Sequence, residues 1–286
     1  VATPMTLSIL TLVKNRTDHL LNQLEGLAQS DVPLHDIVVV DMSDDPVRLE
    51  RGDLPVRLVR LETSGLPLAR ARNLAAREAR GDQLLFLDVD CIPMPGFPQA
   101  MEAALKAEDA LICAEVRYLP AGGTQGGWTF DTLMSKAEPH PLRAFPPSGW
   151  RRETEPGLFW SLAFGIRRQT FQAVGGFDED FTGYGAEDTD FGFRAHAADL
   201  ALLFMGGAGV FHQHHGVYDP PLQHFEDIIE NARRFRGRWG RWAMEGWLKA
   251  FEARGLIAFG PDRITILRTP DREEIAAARR SDDQPF

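Results

Sequence analysis

Short apolar runs alternate with amphipathic ones along the first third of the chain. "MTLSILTLV" and "QLLFLDVD" are apolar almost throughout, and "DIVVVD" is a β-branched run ending at Asp41. Runs of this kind predict strands buried on both faces. Between them, "RTDHLLNQLEGLAQS" sets Leu20, Leu21, Leu24, Leu27 and Ala28 at helical spacing. "PLARARNLAAREARG" reads as a second helix, with Gly81 as its C-terminal stop. "VRLVRLE" alternates. This strand–helix rhythm predicts an α/β fold with a mostly parallel central sheet flanked by helices and right-handed crossovers. In such sheets ligands gather beyond the carboxyl ends of the strands, where Asp41 and Asp88-Val89-Asp90 fall.

The pattern weakens over 120–157, which contains "PAGGTQGG" and "PPSGWRRETEPG". A connection this long is usually functional or mobile. Beyond it, "LFWSLAFGI" predicts a strand, "RRQTFQAVGG" a helix and "LALLFMGGAGVFHQHH" one or two strands. From 222 to 255 the chain reads as helical, with Leu222, Phe225, Ile228, Ile229, Ala232, Phe235 and Trp239 on one face. "DRITILRTPDREEIAAARR" suggests a small strand and helix, then a frayed tail. The expected organisation is one α/β domain over 1–218, split into halves 1–95 and 96–218, and a helical extension over 219–286.

Composition narrows the partners. The 286 residues carry a formal net charge of −10, which argues against nucleic acid. An anionic ligand would need local cations or a metal. Two cysteines, Cys91 and Cys113, make no disulfide framework and fit a reducing compartment, so a cytoplasmic location is expected. "VATPMTLSIL" lacks the basic and apolar regions of a signal peptide, and no run of about 18 apolar residues predicts a membrane span.

The candidate chemistry is carried by acids. Asp88 and Asp90 lie two apart at the end of an apolar strand and would share a face. Paired carboxylates there repel unless a cation is present; Mg²⁺ or Mn²⁺ would resolve the conflict and also neutralise phosphates. The plain alternative is a polar strand end before a turn. "FHQHHGVYD" clusters His212, His214 and His215, and His212 and His214 would share a face if the strand continued. A histidine here is a candidate to complete a metal site begun by Asp90, with His212 slightly preferred. A zinc-enzyme motif is lacking.

"GYGAEDTDFGFRAH" crowds Glu187, Asp188 and Asp190 at the mouth of a helix. The helix dipole stabilises acids there, so simple capping is one reading. The other is a general base, with Gly183 and Gly185 letting the backbone approach a ligand. On a first helical turn successive residues point about 100° apart, so Asp190 is expected to face a structural partner rather than the site of Asp188. Trp128 and Trp150 would either stack on sugars or anchor their loop; Trp160 and Phe164 read as core. "RRFRGRWGRW" is locally basic and would reach a diphosphate or an anionic membrane surface, or be the solvated side of a helix; Arg236 and Arg238 are outside candidates for ligand contact.

Four blocks together resemble a family 2 glycosyltransferase of GT-A, Rossmann-like fold: "LSILTLVKNR", "IVVVDMSDD", "GLPLARARNLAAREARGDQLLFLDVDCIP" and "VGGFDEDFTGYGAEDTDFGFR". The last block is most like galactosyltransferase-type enzymes, and the resemblance covers about 5–215. It implies inverting, metal-dependent transfer of a hexose or N-acetylhexosamine from a UDP-sugar to the hydroxyl of a glycan or small-molecule acceptor. By this resemblance Asp41 contacts the uracil or ribose, Asn15 and Arg16 line the nucleotide pocket, and Arg72 lies near the base or phosphates. Asp88 faces the ribose or donor sugar, Asp90 and His212 bind the Mn²⁺ or Mg²⁺, Glu187 holds sugar hydroxyls and Asp188 is the general base. The chain departs from the family in reading Asp41-Met42 for Asp-Asp, and Leu12-Val13-Lys14 for Pro-x-Tyr; Lys14 would then meet a phosphate. The competing readings are a sugar-phosphate nucleotidyltransferase, against which the glycine-free "TLVKNRTD" counts, and a catalytically silent nucleotide-sugar or glycan-binding protein.

Overall fold

The computed structural model describes residues 5–31, 33–49 and 52–281. The expected frayed tail at 282–286 lies outside them. Strand β1 (Leu7–Val13) leads to helix α1 (Thr17–Ala28), β2 (Ile37–Asp41), β3 (Val56–Arg60), α2 (Leu68–Glu78), β4 (Gln83–Asp88) and β5 (Cys91–Pro93). Next come α3 (Phe97–Ala107), β6 (Leu111–Tyr118), α4 (Phe130–Lys136), β7 (Glu138–Pro139), β8 (Gly149–Glu153), β9 (Ala163–Arg167), α5 (Arg168–Val174), α6 (Glu187–Ala197) and β10 (Leu202–His212). The chain continues through α7 (Phe225–Trp239), α8 (Glu245–Ala253), β11 (Ile257–Phe259), β12 (Ile264–Ile266) and α9 (Arg272–Ala277).

The central sheet has the order β3-β2-β1-β4-β9-β6-β10-β5, with β7 on β6 and β8 on β10. Strands β1, β2, β3, β4, β6 and β10 run one way, and β9 runs against them between β4 and β6. Alternate strand residues feed two cores. Ile9, Val13, Val39, Leu85 and Leu87 pack with Leu20 and Leu27 of α1 and Met101 of α3. Leu10, Leu12, Val38, Val40 and Phe86 pack with Ala69 and Ala75 of α2 and Phe191 of α6. Burial on both faces explains the unbroken apolar runs.

Some expectations need correcting. Leu21 is 48% exposed, and Gln23 is buried in its stead. Thr11 Oγ1 donates to Gln23 Oε1 at 2.8 Å, and Gln23 Nε2 donates to the carbonyls of Asp88 and Cys91 at 2.7 and 3.0 Å. Gly81 is no helix stop: α2 ends at the extended Ala79. It is small because an added Cβ would lie 2.5 Å from the Thr6 carbonyl oxygen. The irregular segment holds α4, capped by reciprocal Thr129 and Thr132 hydrogen bonds, and the strand β8. The helix expected over 222–255 breaks at left-handed Gly240 and Met244. "LALLFMGGAGVFH" contains a single strand with a bulge between Met205 and Gly209.

Residues after β10 build a further apolar cluster of Leu222, Phe225, Ile228, Leu248 and Phe251, against which Tyr184 packs. Among the described residues, no helix is long and apolar enough to cross a membrane.

Candidate active site

The carboxyl ends of β1, β4, β6 and β10 share one edge of the sheet. Asp88 ends β4 opposite Leu12, and His212 ends β10 opposite Tyr118. The turn after β4 then folds back, because β5 pairs antiparallel with β10 and sets Cys91 opposite His212. The Gln213 N–H donates to the Asp90 carbonyl at 2.7 Å, which locks this return.

Asp90, His212 and His215 each offer a ligand atom, all within 4.8 Å of one another. Asp90 Oδ1 lies 3.8 Å from His212 Nε2, and Oδ2 lies 3.3 Å from His215 Nε2. Arg16 also pairs with Oδ2. Burial pushes the Asp90 carboxyl up, but His212, Arg16 and His215 together hold it below the ordinary aspartate range. Burial drives His212 down to about 4, against the pull of Asp90. A carboxylate with two neutral imidazoles fits a divalent ion of the Mn²⁺ kind, whereas Mg²⁺ favours oxygen donors.

A second chain of charge adjoins it. Arg72 is 3% exposed and donates from Nη1 to Glu187 Oε1 at 3.0 Å and from Nη2 to Asp88 Oδ1 at 3.2 Å. Helix α2 thereby joins the end of β4 to the start of α6. Burial pushes Asp88 up to about 7; Arg72 opposes this and Asp90 reinforces it. Burial also raises Glu187, with Asp188 adding to the rise and Arg72 resisting.

The three acids of α6 have separate surroundings. Glu187 belongs to the Arg72 pair. Asp190, fully buried, accepts from Arg194 Nε at 2.7 Å, Arg238 Nη1 at 2.8 Å and Trp239 Nε1 at 2.9 Å, which is the structural role expected for it. Half-buried Asp188 accepts from the Thr189 N–H at 2.6 Å and weakly from the Ser161 N–H at 3.5 Å. Among the described residues no cation forms an ion pair with it.

Several of the expected binding residues make contacts within the fold. Asp41 is turned into its own loop, accepting from the N–H groups of Ser43 and Val47 at 2.8 and 2.9 Å and from Arg60 at 3.1 Å. Through these contacts its carboxylate shapes the loop after β2. Asn15 sits in the left-handed region at φ 54 and exchanges hydrogen bonds with Asp44 at 2.8 and 2.9 Å. Lys14 donates to the Gly65 carbonyl at 2.8 Å. Arg236 pairs with Asp262, and Arg238 with Asp178 and Asp190. Trp128 is an anchor, donating to Asn22 Oδ1 at 3.0 Å; Trp150 is 42% exposed on β8.

The glycines before α6 are held to that size by close packing. A Cβ on Gly183 would lie 2.1 Å from Asp227 Cγ, and one on Gly185 would lie 2.6 Å from Met244 Sδ. Asn231 of α7 donates to the carbonyls of Thr182 and Tyr184 at 2.8 and 3.2 Å. The C-terminal helices thus hold the loop that delivers Glu187 and Asp188. Two residues at this edge went unassigned in the sequence. His215 was one of three clustered histidines. Tyr184 stacks on His224 at 4.4 Å, and burial, then Glu187 and Asp188, push its hydroxyl up to about 12.

The architecture is that of GT-A enzymes. A solved structure of GalNAc-T7 with UDP, GalNAc and Mn²⁺ aligns with a TM-score of 0.56 at 20% identity, covering 75% of this chain and 45% of that one. Staphylococcal TarS with UDP-GlcNAc aligns with a TM-score of 0.56 at 17% identity, covering 80% and 66%. The chain belongs to glycosyl transferase family 2, whose family model matches residues 8–180. It is 30% identical over 234 residues to validoxylamine A glucosyltransferase of Streptomyces hygroscopicus subsp. jinggangensis, covering 68% of this chain and 52% of the relative. It is 27% identical over 241 residues to chondroitin synthase of Escherichia coli, covering 72% of this chain and 34% of the relative. The chain therefore spans about half or less of the length of these relatives.

Proposed function

We propose that this protein is an inverting, metal-dependent glycosyltransferase that moves a hexose or N-acetylhexosamine from a UDP-sugar to an acceptor hydroxyl. One observation carries the reading: a metal-capable acid–imidazole cluster and a carboxylate that forms no ion pair among the described residues stand on the same sheet edge. The Arg72 bridge between Asp88 and Glu187 links the two. The neighbours that bind UDP, UDP-GlcNAc and Mn²⁺ support the choice of donor.

In this reading Asp90 and His212 hold Mn²⁺ or Mg²⁺, with His215 beside them. A divalent ion there would offset charge on the departing diphosphate. Asp188 takes the acceptor hydroxyl's proton as its oxygen attacks the anomeric carbon; that bond forms as the bond to UDP breaks. Thr189 and Ser161 orient the carboxylate for this. Glu187 orients sugar hydroxyls, fixed by Arg72. Asp88 faces the ribose or sugar, while Asn15 and Arg16 line the nucleotide side. Residues 1–218 form the catalytic domain, and 219–286 an extension that braces it.

A screen of nucleotide sugars for Mn²⁺-dependent transfer or hydrolysis tests the reading. UDP binding that strengthens with Mn²⁺ is expected. Binding of a nucleoside triphosphate and sugar phosphate, with none of UDP, would overturn it.

A further inference from the structure

Arg143 differs from the other arginine that is deeply buried among the described residues, Arg72. It is 3% exposed, as Arg72 is, yet no carboxylate pairs with it among the described residues. Its Nε and Nη2 are buried without a hydrogen-bond acceptor. The guanidinium carbon instead lies over the rings of Phe145 at 5.1 Å, Trp160 at 5.0 Å and Phe204 at 4.9 Å. Ring faces attract the charge, but in-plane N–H groups need acceptors. Buried donors left unmade are costly, and a buried cation without a counter-charge costs more.

The two orphan donors lie on one edge of the guanidinium. That Nε–Nη2 edge is a fork that matches two oxygens of a carboxylate or phosphate. Its location is informative. Trp160 precedes Ser161, whose N–H reaches Asp188. From Trp160 a row of rings continues through His140 at 4.9 Å and Tyr118 at 5.5 Å to His212 at 4.9 Å. Half-buried Trp160 thus lies between Arg143 and the ring row that ends at His212, and its neighbour Ser161 reaches Asp188.

We propose that Arg143 anchors an acceptor subsite, taking a carboxylate or phosphate carried by the acceptor through its Nε–Nη2 edge while Trp160 stacks on the sugar. The proposal rests on the transferase reading above. The test uses the full chain with UDP and Mn²⁺, and calorimetric titration of methyl glucuronide, methyl glucoside 6-phosphate and neutral methyl glucoside. At least one anionic glycoside should bind about tenfold tighter than the neutral one. Arg143→Lys, which keeps charge but loses the fork, and Arg143→Met, which keeps much of the stem, should both remove that preference and leave UDP affinity unchanged. No anionic preference in the parent overturns the proposal, while Mn²⁺-dependent UDP binding would still support the transferase reading. A loss of UDP affinity in Arg143→Lys equal to the loss for the glycoside assigns Arg143 to the donor diphosphate and also overturns it. Should Arg143→Met fail to fold, the parent's preference and the lysine variant decide.

Discussion

Asp90 and Asp190 are buried to nearly the same degree, 4% and 0% exposed, yet the chain surrounds them in opposite ways. Asp190 is enclosed by fixed donors: two arginines and an indole N–H, drawn from α6 and α7. Its negative charge is matched within the fold. Asp90 faces two imidazoles and a single arginine whose side chain is 38% exposed. Neutral imidazoles do not balance a carboxylate, but they coordinate metals. The first arrangement is closed and belongs to stability. The second sets a carboxylate beside two imidazoles, a group that could hold an added cation.

That contrast is broken most directly at Asp90. Asp90→Ala should abolish Mn²⁺-dependent UDP binding while thermal melting shows an intact fold, since Asp90 follows a strand and fills no core. Chelation of the parent with EDTA should give the same loss, reversed by Mn²⁺. Parent-like UDP and Mn²⁺ affinity in the variant would remove the metal assignment.

Asp188 sharpens the comparison, being the acid of α6 that forms no ion pair among the described residues. Asp188→Asn preserves size and most hydrogen bonds but removes the basic carboxylate. Turnover should fall by roughly 10²–10⁴, with UDP-sugar affinity little changed. Glu187→Gln should weaken binding as well as rate, because it loosens Arg72 and hence Asp88. Near-parent turnover of Asp188→Asn with a genuine acceptor would shift the base to Glu187.

Asp190→Ala should act on stability. Removing one partner of a buried ion pair typically costs about 3–5 kcal/mol, and here Arg194, Arg238 and Trp239 all lose an acceptor. Denaturant melting reads this out. A variant of parent-like stability would mean that the closed reading of Asp190 is wrong.

How much of this was legible in the chain depends on the range of the interactions. The sheet could be read because strands buried on both faces are continuous apolar runs, and Asp88, Asp90 and the α6 acids follow from strand and helix ends. The metal set was only half legible. Alternation pairs His212 with His214, but β10 ends at His212, so the period of two stops applying and His215 returns to Asp90. The role of Gly183 and Gly185 was hidden because their neighbours, Asp227 and Met244, lie some 40 to 60 positions on. Arg143 was invisible for the same reason: its rings come from positions 145, 160 and 204.

The smallest expected effect comes from a third buried aspartate, far from the site edge. Asp36 is 5% exposed and ties the start of the sheet together. Ser8 Oγ donates to it at 2.6 Å, Arg57 at 2.8 Å and the Arg80 N–H at 2.8 Å. Burial pushes its carboxyl up, but these donors outweigh burial and hold it below the ordinary value of 3.8. The folded state therefore binds its proton less readily than the unfolded chain. Its stabilising contribution is fully present above the unfolded value and disappears as pH falls through the folded one. Asp36→Asn should destabilise the protein at pH 7 by about 1–3 kcal/mol, the cost of leaving Ser8, Arg57 and Arg80 imperfectly matched. That deficit should shrink as pH falls below about 4, where Asp36 of the unfolded parent takes up its proton while the folded one still resists. Urea melts of both proteins from pH 7 to pH 3 would show the two stabilities converging. A gap that stays constant across the range would mean that Asp36 acts through shape and not charge, and it would then resemble neither Asp90 nor Asp190.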